Sequence, residues 1–253
     1  MASASGRDIQ APKWSGQAFV ASPIMGHRLA AAPASARGAK GYCAPLLSTV
    51  LSTHRTPPAR RAAMLNDTTS PATLVATRRS GKPRDMIAPG PNEAQLARIL
   101  AAAMRVPDHG KLAPWRFVVV GEERRDAFAA MLQQAWRSEH GAEDRPDVAA
   151  IEQFARQAPT LVAVVSTPDA GAKIPVWEQE LSAGAACTMM LVATHAEGFV
   201  GGWLTGWAAY SPAVAAGLGH PGARIAGFMF IGSLAEEPTE RPRPSDDSIV
   251  SWF

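Results

Sequence analysis

The sequence predicts one globular domain of mixed helices and strands that begins near residue 66. Three observations support this prediction. The 253 residues are 47% hydrophobic and 19% charged, which is enough apolar material for a buried core. Six segments carry helix signals, through capping residues or the arrangement of their apolar residues, and three other, mostly apolar segments predict strands. The first 66 residues show neither pattern.

Residues 1–66 differ from the rest in composition. They contain six Pro, five Gly and many Ala and Ser. Such a segment buries too little apolar surface to offset the entropy lost on ordering. We expect a disordered leader, or upstream sequence included through a mistaken start with Met64 as the true first residue. Its basic, acid-poor composition also suits a transit peptide. Residues 67–253 are then the folded domain.

The charge distribution argues against a nucleic-acid partner. Residues 1–63 hold eight of the 25 Lys and Arg but one of the 22 acidic residues, so residues 64–253 carry a net charge of −4.

No run reaches about 18 uncharged apolar residues, so we expect no membrane span. Two cysteines, Cys43 and Cys187, are too few for a disulfide scaffold or a Cys-based metal site. We therefore expect a cytoplasmic protein without a metal.

The first half of the domain is predicted to hold two helices. Ser70 can cap a helix over residues 71–79, with Pro71 in its first turn, and Gly81 then ends it. A second helix begins at residues 91–93 and places its apolar residues on one face.

Two strands and two helices follow. Residues 115–120 predict a strand, and residues 122–137 predict an amphipathic helix. Residues 146–157 predict another helix. Residues 160–167 are apolar without alternation, which is typical of a strand that is buried on both faces.

The longest helical signal covers residues 177–197, and its central part is small and apolar on nearly every side. Such a helix lies in a core or at a helix–helix seam. Residues 199–207 predict a short strand or loop, 211–218 a helix and 224–234 a strand. The Pro-rich tail that follows needs a surface to lie against.

Gly217–Gly222 matches the dinucleotide pattern G-x-G-x-x-G, but its context is wrong for that role. The pattern works after a strand and before a helix. Here a helix precedes it and a strand follows, and Pro221 removes a backbone donor. We interpret it as a helix end and turn.

Two segments could bind an anion. The first could bind a phosphate through Arg78, Arg79 and Ser80. Alternatively, the two cations only interact favourably with the dipole at the C-terminus of the helix. Arg105 and His109 lie in a Pro-bounded loop that leads into a strand, a common place for a site.

Residues 201–207 set glycines around two tryptophans, which could let a flat ring approach the backbone, or could be ordinary aromatic packing. Cys187 has no activating cation nearby in sequence, so packing is the favoured role. His195, near the end of the long helix, is either a satisfied histidine or one that suits the helix dipole.

Together and in order, these segments resemble the nitroreductase family of flavoproteins, in particular its small bacterial NAD(P)H nitroreductase branch. The resemblance covers about residues 70–253. It rests on Arg78-Arg79-Ser80, Met104–His109 with Pro114–Phe117, Val176–Gly184, Gly198–Trp203 and Phe230–Gly232.

The resemblance implies an α+β fold, a three-layer α-β-α sandwich around a small, mostly antiparallel sheet. It also implies an obligate homodimer with two FMN molecules at the subunit interface and a C-terminal tail that wraps the partner. An interface of this kind buries roughly 2,000 Å² or more.

By resemblance, three groups of residues contact FMN: Arg78, Arg79 and Ser80 at the phosphate and ribityl chain; Arg105 and His109 from the loop, in the same subunit or across the dimer; and Trp203, Leu204 and Thr205 against the flavin. The nicotinamide nucleotide would lie at Ala193, Thr194, His195, Ala196, Glu197 and Gly198. Some relatives carry Arg where this chain has Leu204, so the backbone or Thr205 would replace one cationic contact.

The expected function is an FMN-dependent oxidoreductase in which NADH or NADPH delivers hydride through FMN to a small-molecule oxidant, such as a nitroaromatic or a quinone. The cofactor carries this chemistry, so we assign no catalytic side chain. Three alternatives remain: an offshoot of the family with another flavin reaction, a non-catalytic flavin-binding dimer, and a nucleic-acid-associated protein that uses its basic leader.

Overall fold

The computed structural model describes residues 64–140 and 147–253. The predicted leader therefore lies outside the described residues, except for its last three. One of these, Asn66, accepts a hydrogen bond from the backbone N–H of Arg79 through its side-chain oxygen, at 2.8 Å. Over the described ranges, the helices are too short or too polar to span a bilayer.

Five strands form one small sheet, and each pairing among them is antiparallel. The long last strand pairs with three others, and β2 lies at the edge beyond β3. This sheet confirms the small antiparallel sheet that the resemblance implied. The strands are β1 (Met86–Ile87), β2 (Trp115–Val120), β3 (Thr160–Ser166), β4 (Val200–Leu204) and β5 (Arg224–Leu234).

Seven α-helices accompany the sheet over the described residues. Ser70 and Asn92 cap the first two helices, each with a reciprocal capping box. The helices are α1 (Pro71–Thr77), α2 (Glu93–Ala103), α3 (Arg125–His140), α4 (Val148–Arg156), α5 (Val176–Ala196), α6 (Trp207–Tyr210) and α7 (Pro212–Gly217).

Most predicted elements are present, with shifts of a few residues at their ends. The predicted helix 122–137 begins with a 3-10 turn over Glu122–Arg124, and α3 then continues to His140. Segment 199–207 contains the strand β4, and α6 begins at its last residue. Residues 217–222 lie at the end of α7 and in the turn before β5, so their interpretation as a helix end and turn is confirmed.

The sheet separates two layers of helices, because successive strand side chains point to opposite faces. On β5, Phe228 and Phe230 pack with residues of α3, α4 and α7. Met229 and Ile231, which alternate with them, pack with α2 and α5. All four side chains are fully buried. The predicted three-layer α-β-α sandwich is therefore confirmed.

Helix α5 is the long apolar helix of the prediction. One side of it is buried against the sheet, including Cys187, whose thiol pKa is raised to about 12 by burial. Cys187 is thus a packing residue, as expected. The opposite side exposes large apolar residues in the first turns, with Trp177 67% exposed and Leu181 53% exposed.

Candidate cofactor site

The three residues Arg78, Arg79 and Ser80 form one local unit at the end of α1. Arg78 is the C-cap of the helix. Its Nη1 donates to Oγ of Ser80 at 3.1 Å, and Nη1 of Arg79 donates to the Ser80 carbonyl at 2.7 Å. These bonds orient both guanidiniums on one turn of chain.

The C-terminal tail folds back onto this unit. Nε of Arg79 donates to the Thr239 carbonyl at 3.0 Å, and Nη2 of Arg243 donates to the Arg78 carbonyl at 3.3 Å. Residues 239–243 of the predicted tail therefore contact their own chain. Whether the remaining tail reaches a partner stays a prediction.

Four arginines thus form a cluster, which we call the arginine cluster: Arg78, Arg79, Arg241 and Arg243. The pKa of Arg78 is lowered, first by burial and then by the charges of Arg243, Arg241 and Arg79. A half-buried cation beside three others is stabilised by an anion. Arg241 and Arg243 are not among the site residues predicted from the sequence; two arginines within a Pro-bounded tail were the available signal.

Strand β4 runs directly past the arginine cluster. The N–H of Gly81 donates to the Gly201 carbonyl at 3.2 Å. The approach is close enough that a Cβ on Gly202 would lie 2.9 Å from the Gly81 carbonyl oxygen. Four residues of strand then carry the chain about 13 Å farther, to Thr205.

The predicted ring-contact segment 203–205 has three different environments. Trp203 is 36% exposed and donates from Nε1 to the Ala226 carbonyl at 3.1 Å. Leu204 packs into the core layer of α3, α4 and α7, so its side chain does not take the place of a surface cation. Thr205 is half-buried and lines two cavities.

The two cavities share Thr205 as a lining residue. The first, of about 240 Å³, lies beside Trp203 and is also lined by Tyr210 and Arg224. The second, of about 310 Å³, is largely apolar, with Phe154 and Trp207 among its walls. Aromatic walls of this kind suit a flat ring.

The loop residues Arg105 and His109 occupy a different place. Arg105 follows α2 and is exposed. His109 Nδ1 lies 2.8 Å from Oε2 of Glu178, in the first turn of α5. The carboxylate of Asp108 accepts the backbone N–H groups of Leu112 and Ala113, which fixes the loop.

Helix α5 separates the two groups of predicted contacts. His109 is paired at its first turn, whereas Arg78 lies close enough to His195, in its last turn, to influence the His195 pKa. Glu178 and His195 are seventeen positions apart along the helix, which corresponds to about 25 Å. One chain therefore does not bring Arg105 and His109 to the arginine cluster.

The predicted nicotinamide segment, Ala193–Gly198, ends α5 and is mostly covered. Thr194 and His195 are buried, and Ala193 is half-buried. Glu197 is held by two hydrogen bonds from Arg98, at 2.8 and 2.7 Å. Ala196 and Gly198 are the members of this segment that reach the surface.

Fold and site together define an antiparallel α-β-α protein with an anion-attracting cluster beside a glycine-rich strand. The Nitroreductase family model matches residues 75–233, so the chain belongs to the nitroreductase family, a family of oxidoreductases. This confirms the resemblance seen in the sequence.

Two curated relatives support the assignment. The Escherichia coli (strain K12) protein named "Putative NAD(P)H nitroreductase YdjA" is 37% identical over 182 residues, 71% of this chain and 97% of the relative. A Haemophilus influenzae protein named "Putative NAD(P)H nitroreductase" is 41% identical over 135 residues, 53% of this chain and 71% of the relative.

Solved structures share the fold. A nitroreductase-like family protein from Bacillus cereus matches with a TM-score of 0.61 at 20% identity, over 73% of this chain and 96% of that one. A protein described as a "putative nitroreductase" from Desulfovibrio desulfuricans, solved in complex with FMN, matches with a TM-score of 0.55 at 21% identity, over 72% of this chain and 96% of that one.

Proposed function

We propose that this chain is an FMN-dependent NAD(P)H oxidoreductase that reduces nitroaromatics or quinones. FMN, when bound, supplies the hydride chemistry between the nicotinamide and the oxidant. The names of the curated relatives and the FMN complex of a structural neighbour support this proposal. The observation that carries it is the arginine cluster beside β4, in which Arg78 is half-buried next to three other cations.

The arginine cluster fits the phosphate of FMN. A phosphate monoester is a dianion near neutral pH, and guanidinium groups bind phosphate oxygens through charge-assisted hydrogen bonds. Arg78 and Arg79 come from the end of α1, and Arg241 and Arg243 from the tail, so donors can approach the phosphate from two segments. Ser80 adds a hydroxyl to the same turn.

The segment from Gly201 to Thr205 fits the rest of the cofactor. A ribityl chain and ring that extend from the arginine cluster along β4 would reach Thr205 and its two cavities. Small residues in the strand leave its backbone open to a close approach. Leu204 faces the core, so the polar groups available there are the backbone of this segment, Thr205, and Tyr210 and Arg224 of the first cavity.

A second copy of the chain would complete the site. In a two-fold dimer with antiparallel α5 helices, the first turn of one α5 lies beside the last turn of the other. Arg105 of the partner subunit and His109 of the partner subunit would then reach the arginine cluster. The exposed Trp177 and Leu181 supply an apolar surface for such a seam.

The side chains of the site bind and orient, and the proposal requires none of them to act as an acid or base. Ala196 and Gly198 offer the exposed backbone for a nicotinamide contact. Residues 67–253 are proposed as the oxidoreductase domain and residues 1–66 as a leader. A cytoplasmic location completes the proposal and rests on composition alone.

The experiment uses the purified full chain. We expect a yellow dimer that releases FMN on denaturation, is bleached anaerobically by NADH or NADPH, and recovers its colour with a nitroaromatic or a quinone. A colourless protein that does not bind added FMN would overturn the proposal.

Two partial results separate the alternatives. Normal bleaching with low rates on nitro compounds and quinones alike would favour another flavin reaction. Bound FMN that neither nicotinamide bleaches would favour a non-catalytic flavin-binding dimer.

A further inference from the structure

The arginine cluster contains a carboxylate of its own. Glu240 accepts hydrogen bonds from the backbone N–H of Arg241 at 2.8 Å and from Nη2 of Arg243 at 3.1 Å. Its pKa is held below the ordinary value, chiefly by the Arg241 N–H, with further lowering by Arg243 and Arg79 against an opposing contribution from burial. Glu240 is thus ionised where an anion is expected to bind.

The donors that Glu240 uses are donors that a phosphate would need. Nη2 of Arg243 is shared between the Glu240 carboxylate and the Arg78 carbonyl. The neighbouring residue, Thr239, is anchored by Arg79 through its carbonyl. Glu240 is therefore held in place from both sides, at the point where the tail meets α1.

We propose that Glu240 is an internal counter-ion of the phosphate site, which binds Arg243 when the site holds no phosphate and must release it when a phosphate monoester binds. Glu240 thereby sets how tightly the cofactor is held. The identity of that monoester as FMN rests on the proposed function; the competition between carboxylate and phosphate does not.

The charge of Glu240 is expected to change the affinity for phosphate rather than the free energy of unfolding. Glu240 and Arg243 are each nearly half exposed, and ion pairs so exposed contribute little to stability. A phosphate dianion that enters the same cluster meets the carboxylate at short range, where two negative charges repel. Loss of the Glu240 charge should therefore tighten phosphate binding and leave thermal stability nearly unchanged.

The experiment compares Glu240→Gln with Glu237→Gln in the full chain. Glu237 is an exposed residue of the same tail outside the cluster, so its substitution removes an equal charge. Calorimetric titrations of the cofactor-stripped proteins with FMN, inorganic phosphate and riboflavin are run at 0.15 M salt, where charges beyond about 8 Å are largely screened.

We expect E240Q to lower the Kd for FMN and for inorganic phosphate by about three- to ten-fold. E237Q should match the wild type, and riboflavin, which lacks phosphate, should gain nothing from either substitution.

Unchanged or weaker phosphate and FMN binding by E240Q would overturn the counter-ion role, as would an equal gain with riboflavin or with E237Q. If phosphate binding follows the expected pattern while FMN binds to no version, the counter-ion role stands and the proposed function fails. If FMN binds equally to the wild type, E240Q and E237Q, the counter-ion role fails and the proposed function stands.

Discussion

Nδ1 of His195 lies 3.1 Å from the carbonyl oxygen of Phe199, while Nε2 has no partner among the described residues. A carbonyl can only accept, so Nδ1 carries a proton, and the ring is neutral near pH 7 because its pKa lies well below that value. His195 is 1% exposed, and its pKa is lowered to about 4, first by burial and then by the charge of Arg78.

This neutral histidine should make stability depend on pH. Between pH 6.5 and about 4 the unfolded chain binds a proton at His195 that the folded chain does not, so stability falls as the pH falls through this window. The full contribution is roughly 3 kcal/mol. Urea unfolding at several pH values should show it, with a flatter profile for His195→Gln. An NMR titration of the His195 ring near pH 6.5 would contradict the assignment.

Arg125 should be a structural cation that ties α3 to the last turn of α4 and to the segment between α4 and β3. It is 5% exposed and donates to the carbonyls of Ala155, Ala158 and Pro159, at 2.8, 3.3 and 3.3 Å. Arg125→Met leaves these carbonyls without their donor and should lower the free energy of unfolding by about 3 kcal/mol.

The matched control for this prediction is Arg124→Met, because Arg124 is the exposed neighbour. It should change the urea midpoint little. Equal midpoints for the two variants would show that the three carbonyls find other partners.

Gly227 should be required for the position of Trp203. A Cβ on Gly227 would overlap the indole nitrogen of Trp203, which donates to the neighbouring Ala226 carbonyl. Gly227→Ala should therefore displace the ring, cost about 1–3 kcal/mol of stability and shift the tryptophan fluorescence. At the exposed Gly171 an added Cβ meets only the Asp169 carboxylate, at 3.3 Å, so Gly171→Ala should have little effect. Unaltered stability and fluorescence in G227A would argue against the placement of Trp203.

Mixed dimers should test the proposed completion of each site by a second copy. Arg78→Gln and Arg105→Gln should each bind FMN weakly as homodimers. When the two are unfolded and refolded together, each mixed dimer would hold one intact site, so about a quarter of all sites should bind FMN normally. Arg78→Gln mixed with Arg241→Gln should recover nothing, since both changes fall in the same cluster. Equal recovery in both mixtures, or none in either, would rule out the antiparallel arrangement.

Local signals explain why much of the fold could be predicted. The bounds of the strands 115–120 and 224–234 agree with the structure because each is a mostly apolar stretch that lies next to turn-forming or polar residues. Ser70 and Asn92 are caps that bond three residues ahead. By contrast, β1 has two residues, which is too short for any period to appear, and it exists because β5 pairs with it.

The candidate site was only half predictable, for the same reason. Arg78, Arg79 and Ser80 are adjacent in sequence and stay together in space. Arg241 and Arg243 join them from the far end of the chain, and no local pattern reports a contact across 160 residues. The separation of His109 from Arg78 depends on the direction of α5 across the sheet, which the sequence of the helix does not specify.

In the proposed two-fold dimer, the length of α5 makes the occupancy of each FMN site depend on dimer formation. Each subunit would contribute two half-sites, one at each end of α5, and neither half-site alone surrounds a ligand. Loss of the flavin colour on dilution would then report dissociation of the dimer, because a monomer lacks the residues that complete the binding site around the flavin ring. Cofactor content and subunit concentration would become one measurable equilibrium.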